Sequence, residues 1–194
     1  LIANGNGRNG KGVLNEVVED MLGNDYYYTG PSELLLNAKK LGGSPELATM
    51  DKKRMVIFRE PDLSKKLNSA FIKELTGGKG IAGRMNYSNQ MSIVLNATWI
   101  LECNEKPMIN GNTSGEAIGQ RIYDVPFINT FTKDENMLSC EGFYKANPYY
   151  KTAEFRRKYK IPLFKIIIDY MREWRNETGK HVWEKYPSFK MIED

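Results

Sequence analysis

The chain has 194 residues, of which 41% are hydrophobic and 27% charged, with a formal net charge of +4 at pH 7. That suits one domain, or one domain with a small appendage, around a packed core, and no apolar run approaches the ~18 residues needed to cross a bilayer. Two cysteines and one histidine exclude a disulfide scaffold and a zinc-ligand array, and free thiols fit a reducing compartment.

The sequence opens on Leu1-Ile2-Ala3, which reads as the end of a strand, so a piece of a longer protein is expected. Ile2–Asn4 ends that strand and Gly5–Gly12 is a glycine-rich turn. Val13–Leu22 carries apolar residues at helical spacing and Gly23 closes it. Pro31–Leu41 reads as a second helix, stopped by Gly42-Gly43. Arg54–Phe58 is a short buried strand. Leu63–Leu75 reads as a helix from Leu67, Phe71 and Leu75, ended by Thr76-Gly77-Gly78. Ile81–Tyr87 and Met91–Val94 flank a Ser-Asn-Gln turn and predict a β-hairpin. Trp99–Cys103 and Ile122–Phe127 are further strands. From about Phe131 the strand signals fade, and a helix follows over Pro162–Arg175. Strands alternating with helices predict an α/β fold with a central, mainly parallel sheet flanked by helices, plus a C-terminal helical segment. The expected division is a core over residues 1–130 and a helical appendage over 131–194.

Gly5-Asn6-Gly7-Arg8-Asn9-Gly10-Lys11 fits the phosphate-loop pattern G-x-x-x-x-G-K and stands between a strand and a helix, the context that motif requires. Glycines let successive backbone N–H groups converge on phosphate oxygens, and the following helix presents its positive end to the same anion. Lys11 adds a full charge near the β- and γ-phosphates. A P-loop NTPase binding ATP with Mg²⁺ is the expectation. The motif normally closes on Ser or Thr, whose hydroxyl binds the metal, and here the position is Gly12.

Three further positions could complete such a site. Arg54–Phe58 runs through Arg59 into Glu60-Pro61, a strand ending in an acid; Glu60 would hold Mg²⁺ or polarise the attacking water. Trp99–Cys103 ends at Asn104, which either touches the γ-phosphate or water, or makes a turn before Pro107. Arg121 precedes an apolar strand, and is either an arginine finger reaching a neighbouring subunit's ATP or a surface ion pair.

In this order the elements resemble the superfamily 3 helicases, which are AAA+-like, and among them the primase–helicase group of poxviruses, giant DNA viruses and satellite phages. The resemblance covers about Ile2–Phe127. It rests on the glycine-rich loop, Phe58-Arg59-Glu60-Pro61, the stretch Lys73 to Gly78 continuing through Lys79 to Arg84 and Tyr87, Asn104-Glu105-Lys106-Pro107, and Arg121 through Pro126-Phe127. Gly12, Lys79 and Gln120 depart from the family pattern.

The resemblance implies a viral or phage replication helicase acting in the host cell. It implies a homo-hexameric ring with ATP at subunit interfaces and single-stranded DNA in the channel. It also implies a DNA-contacting hairpin near residues 81–94, with Lys73, Lys79, Arg84, Tyr87 and Asn89 as contact residues. Two alternatives remain: a small-molecule P-loop kinase, and a catalytically weak module that binds nucleotide and DNA to build a ring. Between Lys151 and Arg175 eight basic residues stand against three acidic ones, either a solvated helix face or, at Arg156–Lys160, a stretch near DNA.

Overall fold

The computed structural model describes residues 1–36, 45–78, 81–83, 91–93, 95–110, 116–119 and 121–178. In chain order they form β1 (Ile2–Asn4), α1 (Lys11–Tyr26), β2 (Tyr27–Gly30), α2 (Glu33–Leu36), α3 (Pro45–Thr49), β3 (Met55–Arg59), β4 (Leu67–Asn68) and α4 (Ser69–Leu75). There follow β5 (Ile81–Gly83), β6 (Met91–Ile93), β7 (Thr98–Cys103), β8 (Ile109–Asn110), α5 (Glu116–Gly119), β9 (Asp124–Pro126), β10 (Thr130–Thr132), β11 (Phe143–Lys145) and α6 (Ala153–Thr178).

Five strands make the central sheet in the order β2-β3-β7-β1-β9. Every pairing in it is parallel, with Ile2 opposite Leu101 and Asp124, and Arg59 opposite Glu102. Because side chains alternate along a strand, consecutive residues serve opposite faces. Val56, Phe58, Leu101 and Cys103 join a core cluster with Leu35, Leu47, Phe71, Leu75 and Ile118. Ile57 and Ile100 face the other way, against Val18, Met21 and Leu22 of α1 and Leu163 of α6. The sheet is thus covered on both faces, and all strand carboxyl ends converge on one edge. This is the α/β architecture expected from the sequence.

Several local expectations change. The strand β2 was not legible: Tyr27-Tyr28-Thr29 follows the helix directly, and α1 runs to Tyr26 through a break at Gly23 (φ 66, ψ 174). The helix expected over Leu63–Leu75 starts only at Ser69. Asn68 caps it, its side-chain oxygen accepting from the N–H groups of Ala70 (3.0 Å) and Phe71 (3.2 Å). Leu67 is buried as its spacing suggested, but on a strand. The stop after α4 holds: Gly78 takes φ 66, and a Cβ on Gly77 would meet the Lys73 carbonyl at 2.9 Å. The hairpin strands β5 and β6 pair antiparallel, Ile81 opposite Ile93.

Beyond Phe131 the chain is more regular than its pattern suggested. β10 and β11 form a small parallel pair. The last helix begins at Ala153 rather than Pro162, which lies inside it. The hydroxyl of Thr152 accepts from the Phe155 N–H (3.1 Å) and supplies the start that a proline was expected to mark.

Candidate functional site

The site lies at the carboxyl edge of the sheet, where ligands bind in open α/β folds. β1 delivers the glycine-rich loop there, and the loop feeds directly into α1. Two of its glycines are dictated by geometry. Gly5 has φ 143, and a Cβ on it would stand 2.4 Å from the Phe127 carbonyl oxygen; Gly10 has φ 89. Arg8 also takes a positive φ of 63. Among the described residues nothing lies within 4 Å of a Cβ built on Gly7 or Gly12, so they border open space. Asn9 is buried: its amide donates to the Phe127 carbonyl at 3.4 Å and its oxygen accepts from the Lys11 N–H at 3.4 Å. Asn6 is exposed at the turn of the loop.

The N-cap residue Gly10 brings no side-chain cap to α1 and the first turn holds no acid, so apart from the long Asn9–Lys11 contact its positive end is open to an anion. Lys11 is buried and its ammonium donates to the Gly5 carbonyl, inside the loop's curve. Burial lowers its pKa below the ordinary lysine value, and the negative charge of Glu102 opposes that shift most.

The neighbouring strands bring two more expected residues to the same edge. Glu60 follows β3, is exposed, and has φ 47; its N–H donates to the Glu102 carbonyl at 2.9 Å. Asn104 follows β7, next to β1, and is exposed. Because β7 lies between β3 and β1, Glu60 and the loop stand roughly 10 Å apart across two strand spacings.

Arg121 is elsewhere. It precedes β9 and so stands at the amino-terminal edge, lining a small apolar cavity of about 60 Å³ with Leu1, Ile72, Leu75 and Trp99. Lys73 is exposed on the last turn of α4. Lys79, Arg84, Tyr87 and Asn89 lie outside the described residues.

Sequence reasoning missed a set of polar residues beneath the loop. Glu102 accepts from the Asn15 amide at 2.8 Å and pairs with Arg59 Nε at 3.5 Å. Asp124, with a side chain 2% exposed, accepts from the Asn4 amide and pairs with Lys106 at 2.6 Å. That pair ties the turn after Asn104 to the strands flanking the loop. The available signal was an acid inside an apolar strand, since Asp and Glu are seldom buried without a partner.

Beside Arg8 and Gly10 the loop opens on a cavity of about 1060 Å³. α1 lines it with Val13, Leu14 and Val17, and the C-terminal segment with Phe131, Tyr150, Phe155 and Tyr159. Tyr149, Tyr150 and Tyr159 pack on Phe155, with ring centroids 5.6, 5.1 and 4.6 Å away. Arg156 is not presented outward. It pairs with Glu16 (2.9 Å) and Asp20 (3.1 Å) of α1, and Lys160 donates to the Asp20 carbonyl at 3.3 Å.

Among the described residues no group of three or more His, Cys, Asp or Glu stands together as a metal site.

Fold and edge define a parallel α/β domain with a glycine-rich loop at its ligand-binding end. No family model matches the chain. It is similar to the "Putative helicase L207/L206" of Acanthamoeba polyphaga mimivirus, 29% identical over 192 residues, 93% of this chain and 19% of that protein. "Primase D5" of Fowlpox virus is 27% identical over 191 residues, 93% of this chain and 24% of the relative. "Uncoating factor OPG117" of Vaccinia virus is 27% identical over 183 residues, 81% and 23% respectively. The chain thus spans about a fifth to a quarter of the length of these relatives. Among solved structures, the apo C-terminal region of NrS-1 is similar at TM-score 0.54 and 14% identity, over 82% of this chain and 33% of that one; the likeness is one of fold. The chain is thus similar to viral proteins named as a helicase and a primase, the likeness being to the viral primase–helicase group.

Proposed function

We propose that this chain is the ATP-hydrolysing motor of a viral or phage DNA helicase, working as a homo-hexameric ring on single-stranded DNA. One observation carries the reading: a buried lysine inside an uncapped glycine-rich loop, at the mouth of a cavity of about 1060 Å³, with Glu60 and Asn104 on adjacent strand ends.

Lys11 and the loop amides hold the triphosphate, and the aromatic cavity takes the nucleoside. When bound, magnesium neutralises phosphate charge. Glu60 draws the proton from the attacking water, and Asn104 orients that water against the γ-phosphate. Arg121 stands at the opposite end of the sheet from its own loop and serves a neighbouring subunit's ATP. Lys73 and Lys79, with Arg84, Tyr87 and Asn89 of the expected hairpin, contact DNA.

Calorimetry and DNA-stimulated phosphate release test this. Lys11→Ala abolishes ATP binding; unchanged affinity removes the phosphate-loop assignment. Arg121→Ala binds ATP normally but loses roughly a thousandfold or more in turnover. Normal turnover in that variant takes Arg121 out of the mechanism. A second reading, nucleotide-dependent ring assembly without turnover, is favoured by Gly12, which brings no hydroxyl to the metal. Assembly with ATP but no phosphate release distinguishes it.

A further inference from the structure

We propose that Glu102 is the carboxylate that holds the water shell of the nucleotide-bound magnesium, in place of the hydroxyl that Gly12 lacks. This rests on the ATP-binding reading above and assigns Glu60 to the attacking water alone.

Alternation along β7 turns Leu101 and Cys103 into the core on one face, so Glu102 faces α1 with Ile100. There it meets Asn15, one helical turn beyond Lys11. Its side chain is 14% exposed. A carboxylate taken that far out of water costs stability unless it is well paired.

The pairing is poor for a structural ion pair. Both contacts fall on the same oxygen, Oε2. Arg59 approaches at 3.5 Å, and among the described residues its buried Nε has no hydrogen-bond partner. A guanidinium and a carboxylate kept together for stability close to about 2.7–2.9 Å and use both oxygens. Glu102 is also the leading negative charge acting on Lys11, so its field reaches the place where the phosphates would lie.

Among the described residues nothing stands within 4 Å of a Cβ built on Gly12. A hydroxyl there would project into open space. The site has the room for the usual ligand but not the ligand, and Glu102 is the carboxylate held against α1 by Asn15, three residues after Gly12.

The test uses manganese in place of magnesium, followed by electron paramagnetic resonance with a non-hydrolysable ATP analogue. Glu102→Gln keeps the shape and an acceptor for Asn15 but removes the charge. It is expected to weaken manganese binding roughly 10–100-fold, the loss typical of an outer-sphere group. Nucleotide affinity in EDTA does not fall, because Glu102→Gln takes a negative charge away from the phosphates. Adding Gly12→Ser to Glu102→Gln restores part of the metal affinity.

Unchanged manganese affinity in Glu102→Gln overturns the proposal. So does a parallel loss of metal-free nucleotide affinity, which marks a structural role, or no recovery with Gly12→Ser. Should Glu102→Gln not fold, Glu102→Asp, which keeps the charge on a shorter arm, carries the same readout. Failure of the parent chain to bind the nucleotide in EDTA instead counts against the phosphate-loop reading.

Discussion

The cavity lies between α1, which packs on the sheet, and the C-terminal segment with α6, and these two sides are held by different forces. On the sheet side Leu47, Val56 and Ile57 are fully buried and Phe58 is 1% exposed. On the other side, α6 keeps large apolar residues in water, with Ile161 65% and Tyr170 64% exposed. What fastens α6 to α1 is mainly directional: Arg156 on Glu16 and Asp20, and Lys160 on a carbonyl, with Leu163 the residue of α6 that reaches a core cluster among the described residues. One wall rests on apolar burial, which is large and non-directional, and the other on ion pairs near the surface, worth little each. A site made this way has its phosphate-facing half fixed by the core and its outer half fixed by a few contacts.

The largest expected effect is on the buried wall. Phe58→Ala removes a ring stacked on Trp99 at 6.2 Å and leaves a cavity in the main cluster, costing about 3–5 kcal/mol by denaturant unfolding. A loss under about 1 kcal/mol would erase the contrast between the walls.

Arg156→Ala comes next, at about 1 kcal/mol, because its partners Glu16 and Asp20 are 45% and 42% exposed. That loss shrinks in high salt, whereas the Phe58 loss does not. A salt-independent cost as large as that of Phe58→Ala would mean that α6 belongs to the core.

The smallest effects concern the two thiols. Burial pushes Cys103 up to about 11, against an ordinary value of 9, while Cys140 is exposed. At neutral pH one thiol reacts quickly with iodoacetamide in the native chain, and both react in denaturant. Above pH 9 the unfolded thiol ionises first, so the stability that Cys103 contributes is lost as pH rises from about 9 to about 11. A Cys103→Ala chain lacks that part of the alkaline loss. Rapid native labelling of Cys103 would show that the sheet's carboxyl edge is open.

Much of the site was legible because it is written in local, ordered signals. Gly5–Lys11, Glu60 and Asn104 each end a strand, and parallel strands bring such ends to one edge. Two strand segments, Arg54–Phe58 and Trp99–Cys103, were read within a residue because each is a short apolar run buried on both sides. The strand Tyr27–Gly30 escaped because it abuts a helix with no turn residue between them. The length of α6 escaped because a proline inside a helix reads as its beginning.

By itself the sequence determined the alternation of strands and helices, the glycine-rich loop and the family resemblance, since these depend on residues close together in the chain. Only the tertiary structure decided that Asn15, Arg59 and Glu102 meet, 87 residues separating the first and last of them. It also decided that Asp124 lies buried between Asn4 and Lys106, and that Arg121 stands at the far end of the sheet from the loop. Those contacts depend on the strand order β2-β3-β7-β1-β9, and no local pattern specifies which strands become neighbours. The loop is a property of a segment; the charges beneath it are a property of the sheet.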